Sequence, residues 1–282
     1  MNTYVRESSR MSNLQYLTQL LGYRFFQYAL IGGGVAALAC ALVGLFVILR
    51  HESMIGDGVA HISFGGIAIG LYLGISPILS ALVVSVIGVL AISWMRRKGL
   101  ADSDSAIAVI LAVGFSTGLI IISLAGGFNV ELFSFLFGSI LTINSQDLVL
   151  VSVLGLISLT VVGVFYKELL SITFDEAASR LMGVPVRALD TVFNVLVAVT
   201  IVLSIKVVGM ILVTALLVLP GLTALQLDRS FKVTAALSII FGVSSVVVGV
   251  FLSAVFDVAT SGVIVFTLAA LFAIVSVYKR LG

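Results

Sequence analysis

Nine stretches of this chain are apolar over about the length that carries a helix across a bilayer: residues 26–49, 55–73, 78–95, 105–125, 148–165, 190–205, 209–225, 233–254 and 260–278. A hydrocarbon layer about 30 Å thick takes about 20 helical residues. Inside it, every backbone N–H and C=O needs a partner from the protein itself, so only helices and closed barrels cross. A barrel would show short alternating segments, whereas these runs are long and continuous. The pattern therefore predicts an all-α, polytopic transmembrane helical bundle of eight or nine spans. Composition agrees: 10% of residues are charged, against about 25% in a soluble domain.

Three places need separate treatment. The block 190–225 is too long for one span, and Lys206 and Gly209 mark its outer turn. The stretch 128–146, FNVELFSFLFGSILTINSQ, is apolar but short and flanked by turn residues. It fits a re-entrant or interfacial piece better than a tenth span. The first run is too long for the apolar core of a signal peptide, about 7–15 residues. The triplet Ala39 to Ala41 mimics a cleavage site, but apolar sequence continues past it, so we read a retained span. Ahead of it, residues 1–24 are polar with scattered Leu and Tyr. They form a separate segment, expected as a short amphipathic helix on the membrane surface, and 25–282 form the transmembrane domain.

Positive charge orients such a chain. Arg50, Arg96, Arg97, Lys98, Lys167, Arg180, Arg187, Arg229, Lys232, Lys279 and Arg280 fall in alternate loops, 11 of 15 basic residues on one side. That side is cytoplasmic by this rule. Nine spans then put the C-terminus inside and the N-terminus outside, although Arg6, Arg10 and Arg24 run against the latter. The outer loops 74–77, 126–131, 206–209 and 255–259 are short, so an external capture step calls for another protein. The net charge of +2 carries no nucleic-acid signal, because the basic residues sit in loops. One cysteine, Cys40, excludes an internal disulfide framework and a multi-cysteine metal site.

The longest cytoplasmic loop is 166–189, YKELLSITFDEAASRLMGVPVRAL. Phe174 to Met182 can make two helical turns, with Asp175 and Glu176 in the first, where the helix dipole favours acids. Gly183 is a stop signal and Pro185 follows it. Such a helix is either a solvated connector or a docking surface.

The stretch RHESMIGDGVAHISFGGIAIG, Arg50 to Gly70, carries most of the chemistry. Asp57 and His61 lie one helical turn apart, about 6 Å of rise, on one face. Ionisable groups at membrane depth are costly and usually face a polar pathway or a partner. Gly56, Gly58, Ser63, Gly65, Gly66 and Gly70 surround them, and small residues let neighbouring backbones come close. A carboxylate with an imidazole suits zinc or manganese better than calcium. Two ligands are too few for a tight site, so Ser53, Ser63, backbone carbonyls or water would complete a transient one. The bland alternative is a structural Asp–His hydrogen bond.

Other motifs point away from catalysis. HESM at 51–54 resembles half of HExxH, but Ile55 stands where the second histidine belongs. His51 and His61 are ten residues apart, about 80° off a common face at about 100° per residue. No GxxxxGK[ST] phosphate loop occurs in the chain, so an ATP-driven mechanism needs a separate ATPase. Pro220 can kink its span or merely shape packing. Glu131 and Asp257 read as solvated charges of the outer loops.

At this point the chain resembles the membrane permease subunits of bacterial and archaeal ABC importers for manganese, zinc and iron. The likeness runs from about Phe26 to Arg280. It rests on LVGLFVILRHESMIGDGVAHISFGGIAIG, FDEAASRLMGVPV, KVVGMILVTALLVLPGLTAL and DVATSGVIVF, in that order. EAASRLMG has one residue more than the EAA-x-x-x-G of other importers, which fits the metal and cobalamin-type class. The family often has proline where this chain has Ser63–Gly66 and Thr260, which bears on the local shape of the pathway. The resemblance implies a homodimeric permease in the cell (plasma or inner) membrane, with a central pathway at the subunit interface. It implies two cytoplasmic ATPases and an extracytoplasmic metal-binding protein. No cofactor is implied; the divalent metal is the substrate. The pathway residues would be Asp57 and His61. The coupling helix would map to Phe174–Gly183, through Phe174, Asp175, Glu176, Ala177, Ala178 and Gly183. The competing reading, a self-sufficient secondary carrier, would lead one to look for inverted repeats and several intramembrane charges; no clear repeat and few such charges are visible.

Overall fold

The computed structural model describes residue 19 and residues 21–127, 130–138 and 145–281. These form twelve helices and, among the described residues, no strand. They are α1 (Arg24–Leu49), α2 (Ile55–Leu73), α3 (Pro77–Arg97), α4 (Ser103–Leu124), α5 (Val130–Phe137), α6 (Ser145–Val164), α7 (Tyr166–Phe174), α8 (Glu176–Leu181), α9 (Val186–Val208), α10 (Met210–Leu225), α11 (Phe231–Phe256) and α12 (Thr260–Leu281). Eight are long and apolar enough to cross a membrane. The ninth expected span, α10, has 16 residues, about 24 Å at about 1.5 Å per residue. Gly209, at φ 90°, makes the turn that separates it from α9. The amphipathic segment expected for 1–24 lies almost wholly outside the described residues.

Ion pairs identify the two ends of the bundle. Arg50 meets Asp190 at 3.2 Å, Arg96 meets Glu52, and Lys279 meets Asp228 at 2.6 Å, all at the end rich in Arg and Lys. At the opposite end Lys206 meets Asp147 at 3.5 Å, tying α9 to α6. The start of α1 lies there too: a Cβ on Gly32 would sit 3.5 Å from Leu148 and 3.8 Å from Val207. So α1, α3, α6, α10 and α12 run toward the basic end, and α2, α4, α9 and α11 run away from it. This is the alternation that nine traverses require, with the start of α1 opposite the basic end.

Of the stretch 128–146, Val130–Phe137 forms α5, eight residues long and too short to cross, and 145–146 open α6; residues 128–129 and 139–144 lie outside the described residues. Helix α5 packs on the α9–α10 turn, with Lys206 over the Phe135 ring at 4.9 Å. The Glu131 side chain lies outside what is described. Asp257 is exposed and closes α11 in a left-handed conformation.

Helices α1, α2 and α9 are the most buried, and α4, α6 and α12 the most exposed. Around α2, close backbone approach replaces side-chain interdigitation. A Cβ on Gly65 would meet the Gly114 carbonyl oxygen of α4 at 2.6 Å, and one on Gly66 would meet Ala81 Cα of α3 at 2.6 Å. Lipid tails give apolar faces no reason to leave them, so such contacts decide which helices stick together.

The loop 166–189 departs from expectation. Phe174–Met182 is not one helix: Phe174 is the last residue of α7, and Asp175 breaks the chain with φ −152° before α8 begins at Glu176. Asp175 is therefore not a first-turn acid but the N-cap, its carboxylate accepting the Ala178 N–H at 2.9 Å. A short carboxylate competes with the helix backbone in this way, which favours caps over helix interiors. Gly183 does stop the helix, at φ 82°. The Val184 N–H closes the turn onto the Ser179 carbonyl at 3.1 Å.

Candidate functional site

Asp57 is the third residue of α2, in the first turn. Its Oδ1 accepts a hydrogen bond from Thr214 Oγ1 of α10 at 2.7 Å. His61 lies one turn further along. Its Nδ1 is 3.1 Å from the Asp57 backbone carbonyl, and a carbonyl only accepts, so Nδ1 carries the proton. In a neutral ring this leaves Nε2 with a lone pair for a ligand. The Phe115 ring of α4 packs beside the imidazole, 5.3 Å between centroids. The structure thus brings Asp57 and His61 to one face, as their spacing implied, but the carboxylate is held by Thr214 rather than by the imidazole. Both side chains are half-buried although α2 is among the most buried helices. Thr214, Ala215, Val218 and Leu222 of α10 share this partial exposure. Among the described residues, no three His, Cys, Asp or Glu side chains gather into a group that could hold a metal ion.

A second polar assembly closes the basic end; in the sequence its arginines stand only as orienting charges and Asp190 carries no signal of its own. Asp190, at the start of α9, receives Arg50 at 3.2 Å and Arg97 at 3.8 Å. The Arg50 guanidinium also lies over Phe193 at 4.6 Å. Glu52, in the short α1–α2 connection, is buried and paired with Arg96 of α3. Arg97 also donates to Thr191 at 2.7 Å, and Asn194 donates to Ser93 at 3.0 Å. The available signal was one of position: two acids, Glu52 and Asp190, at the ends of apolar runs on a side crowded with arginine.

The candidate coupling residues form a projecting surface. Phe174, Leu181 and Met182 are 70%, 90% and 68% exposed, beside exposed Ala177 and half-buried Ala178. Glu176 pairs with Arg180 at 2.6 Å across one turn. Underneath, buried Ser179 bonds Ser171 of α7 at 2.7 Å, fixing α8 to α7. These three large apolar side chains stand exposed on an otherwise polar loop.

Residues 22–279 match the model of the ABC 3 transport family. The chain belongs to that family. Among its relatives, the manganese transport system membrane protein MntC of Halalkalibacterium halodurans is 33% identical over 265 residues, 94% of this permease and 91% of MntC. The high-affinity zinc uptake system membrane protein ZnuB of Haemophilus influenzae is 31% identical over 252 residues, 89% of this chain and 96% of ZnuB. Among solved structures, PsaBC from Streptococcus pneumoniae in complex with Fab superposes with a TM-score of 0.84 at 32% identity, covering 93% of this chain and 94% of that one. The permease is a multi-pass membrane protein, and its kinship is with ABC transport systems rather than self-sufficient carriers.

Proposed function

We propose that this chain is the permease subunit of an ATP-driven importer of a divalent metal, zinc, manganese or iron(II), and that Asp57 and His61 line its path. One observation carries the reading: an Asp–His pair stays half-accessible on one of the most buried helices, with the imidazole Nε2 free to bind. A carboxylate draws any cation, and a neutral imidazole biases the choice toward borderline metals. Two ligands per chain suit passage rather than storage. In a homodimer, a two-fold axis would bring a second Asp57 and His61 to the same path, since an isologous interface repeats each group. The chain has no phosphate loop, so hydrolysis would reside in two cytoplasmic ATPases gripping Phe174, Leu181 and Met182 of the α7–α8 corner. An extracytoplasmic metal-binding protein would deliver the ion, because the outer connections are short.

Uptake of radioactive manganese or zinc into vesicles holding the permease and its ATPase tests the path. Asp57→Asn, which keeps size and loses charge, and His61→Ala each abolish uptake while ATPase binding persists. Wild-type uptake in both variants overturns the assignment. Robust ATP hydrolysis by the purified chain alone overturns the division of labour.

A further inference from the structure

At the basic end a cavity of about 630 Å³ opens between the end of α3, α8 and the start of α9. Five cations line it: Arg96, Arg97, Lys98, Arg180 and Arg187. Two carboxylates do so as well, and both are occupied: Glu176 by Arg180 at 2.6 Å, Asp190 by Arg50 at 3.2 Å and Arg97 at 3.8 Å. Arg96 is engaged from behind by Glu52. Lys98 and Arg187 have no carboxylate partner among the described residues. The cavity therefore presents a surplus of positive charge, which the metal path and the apolar α7–α8 corner do not use.

Trp94, 55% exposed, forms its wall on the side of α3. Above it, Leu79, Val83, Ile87 and Leu90 are 40–60% exposed. With Trp94 they fall within about 80° of one helix face at about 100° per residue. Arg97 continues this face one turn below the tryptophan. Along α3 toward the basic end the order is an apolar stripe, an interfacial aromatic ring, then a cationic cavity. That order matches acyl chain, glycerol backbone and phosphate. An inorganic anion has no use for the stripe.

We propose that this cavity binds the phosphodiester headgroup of an anionic membrane lipid, whose acyl chain lies along the exposed face of α3. Lys98 and Arg187 supply the charge for the headgroup, and Trp94 sits at its shoulder. The bound lipid bridges α3 to α8 and α9, next to the apolar corner.

Native mass spectrometry of the full chain with added phosphatidylglycerol or phosphatidylcholine tests this. Phosphatidylglycerol is retained and phosphatidylcholine is not. Lys98→Gln with Arg187→Gln weakens retention about thirtyfold, for two cations lost beside a lipid headgroup. Arg229→Gln with Lys232→Gln, at the same end but outside the cavity, leaves it unchanged. Equal loss in both double variants overturns the site in favour of general surface charge. Displacement of phosphatidylglycerol from the wild-type chain by millimolar inorganic phosphate overturns it in favour of a free-anion site, and needs no variant. Weakened ATPase capture by the Lys98→Gln/Arg187→Gln variant in purely zwitterionic nanodiscs, with its phosphatidylglycerol retention in mass spectrometry intact, assigns the cavity to an acidic segment of the partner instead. Retention is read without metal or ATP, so its failure leaves the transport reading untouched.

Discussion

Thr214→Val isolates the contact that aims Asp57. Valine keeps the shape of threonine and removes only the hydroxyl that donates to Asp57 Oδ1 at 2.7 Å. A hydrogen bond to a charged group contributes about 1.5–3 kcal/mol. Asp57 is half-buried and water can replace part of that bond, so the lower end, about 1.5 kcal/mol, applies. About 1.4 kcal/mol is tenfold in an equilibrium constant, so initial metal uptake at subsaturating metal falls about tenfold. Thr214→Ser keeps the donor and keeps most of the uptake. Reconstituted vesicles with the partner ATPase provide the assay, with ATPase binding measured alongside to exclude misfolding. Normal uptake in Thr214→Val, or equal damage from serine and valine, refutes the positioning role.

Other substitutions probe the frame around the site. Gly65→Ala pushes a Cβ to 2.6 Å from the Gly114 carbonyl oxygen. Backbone must move, so about 1–3 kcal/mol of overpacking appears as a lowered melting temperature in detergent, and an unchanged melt contradicts the close approach. Arg96→Met strands the Glu52 carboxylate, whose other oxygen has no protein partner. The cost is about 2–3 kcal/mol, below the full penalty of a broken buried pair because Arg96 remains partly exposed; adding Glu52→Met restores most of the lost stability. Gly183→Val places a β-branched residue at φ 82°, which strains the end of α8. ATP-driven uptake drops while membrane insertion, followed by fractionation, stays normal.

How much of this was legible beforehand varies by feature. Span edges were close: 26–49 became Arg24–Leu49 and 209–225 became Met210–Leu225, because hydropathy is a local property that stops where polar residues start. The Gly183 stop was likewise local. The α7–α8 break had a local signal too, an aspartate ahead of Glu-Ala-Ala, but a cap and a first-turn acid look alike in sequence. Asp57 and His61 were visible as a pair because helical spacing alone puts them on one face.

Their partners were not visible. Thr214 lies 157 residues from Asp57, and Asp190 lies 140 residues from Arg50. The helices of this chain are apolar nearly all round, so hydropathy determines that they cross and leaves open which face meets which neighbour. In the folded chain that choice falls to shape: where Gly65 lies against Gly114, the rotation of α2 is set, and with it the direction in which Asp57 looks for a donor. The sequence by itself determined where the apolar spans begin and end and which residues could carry a cation. Only tertiary packing decided that a threonine on α10 would hold the carboxylate and that five cations would gather around one cavity at the membrane edge.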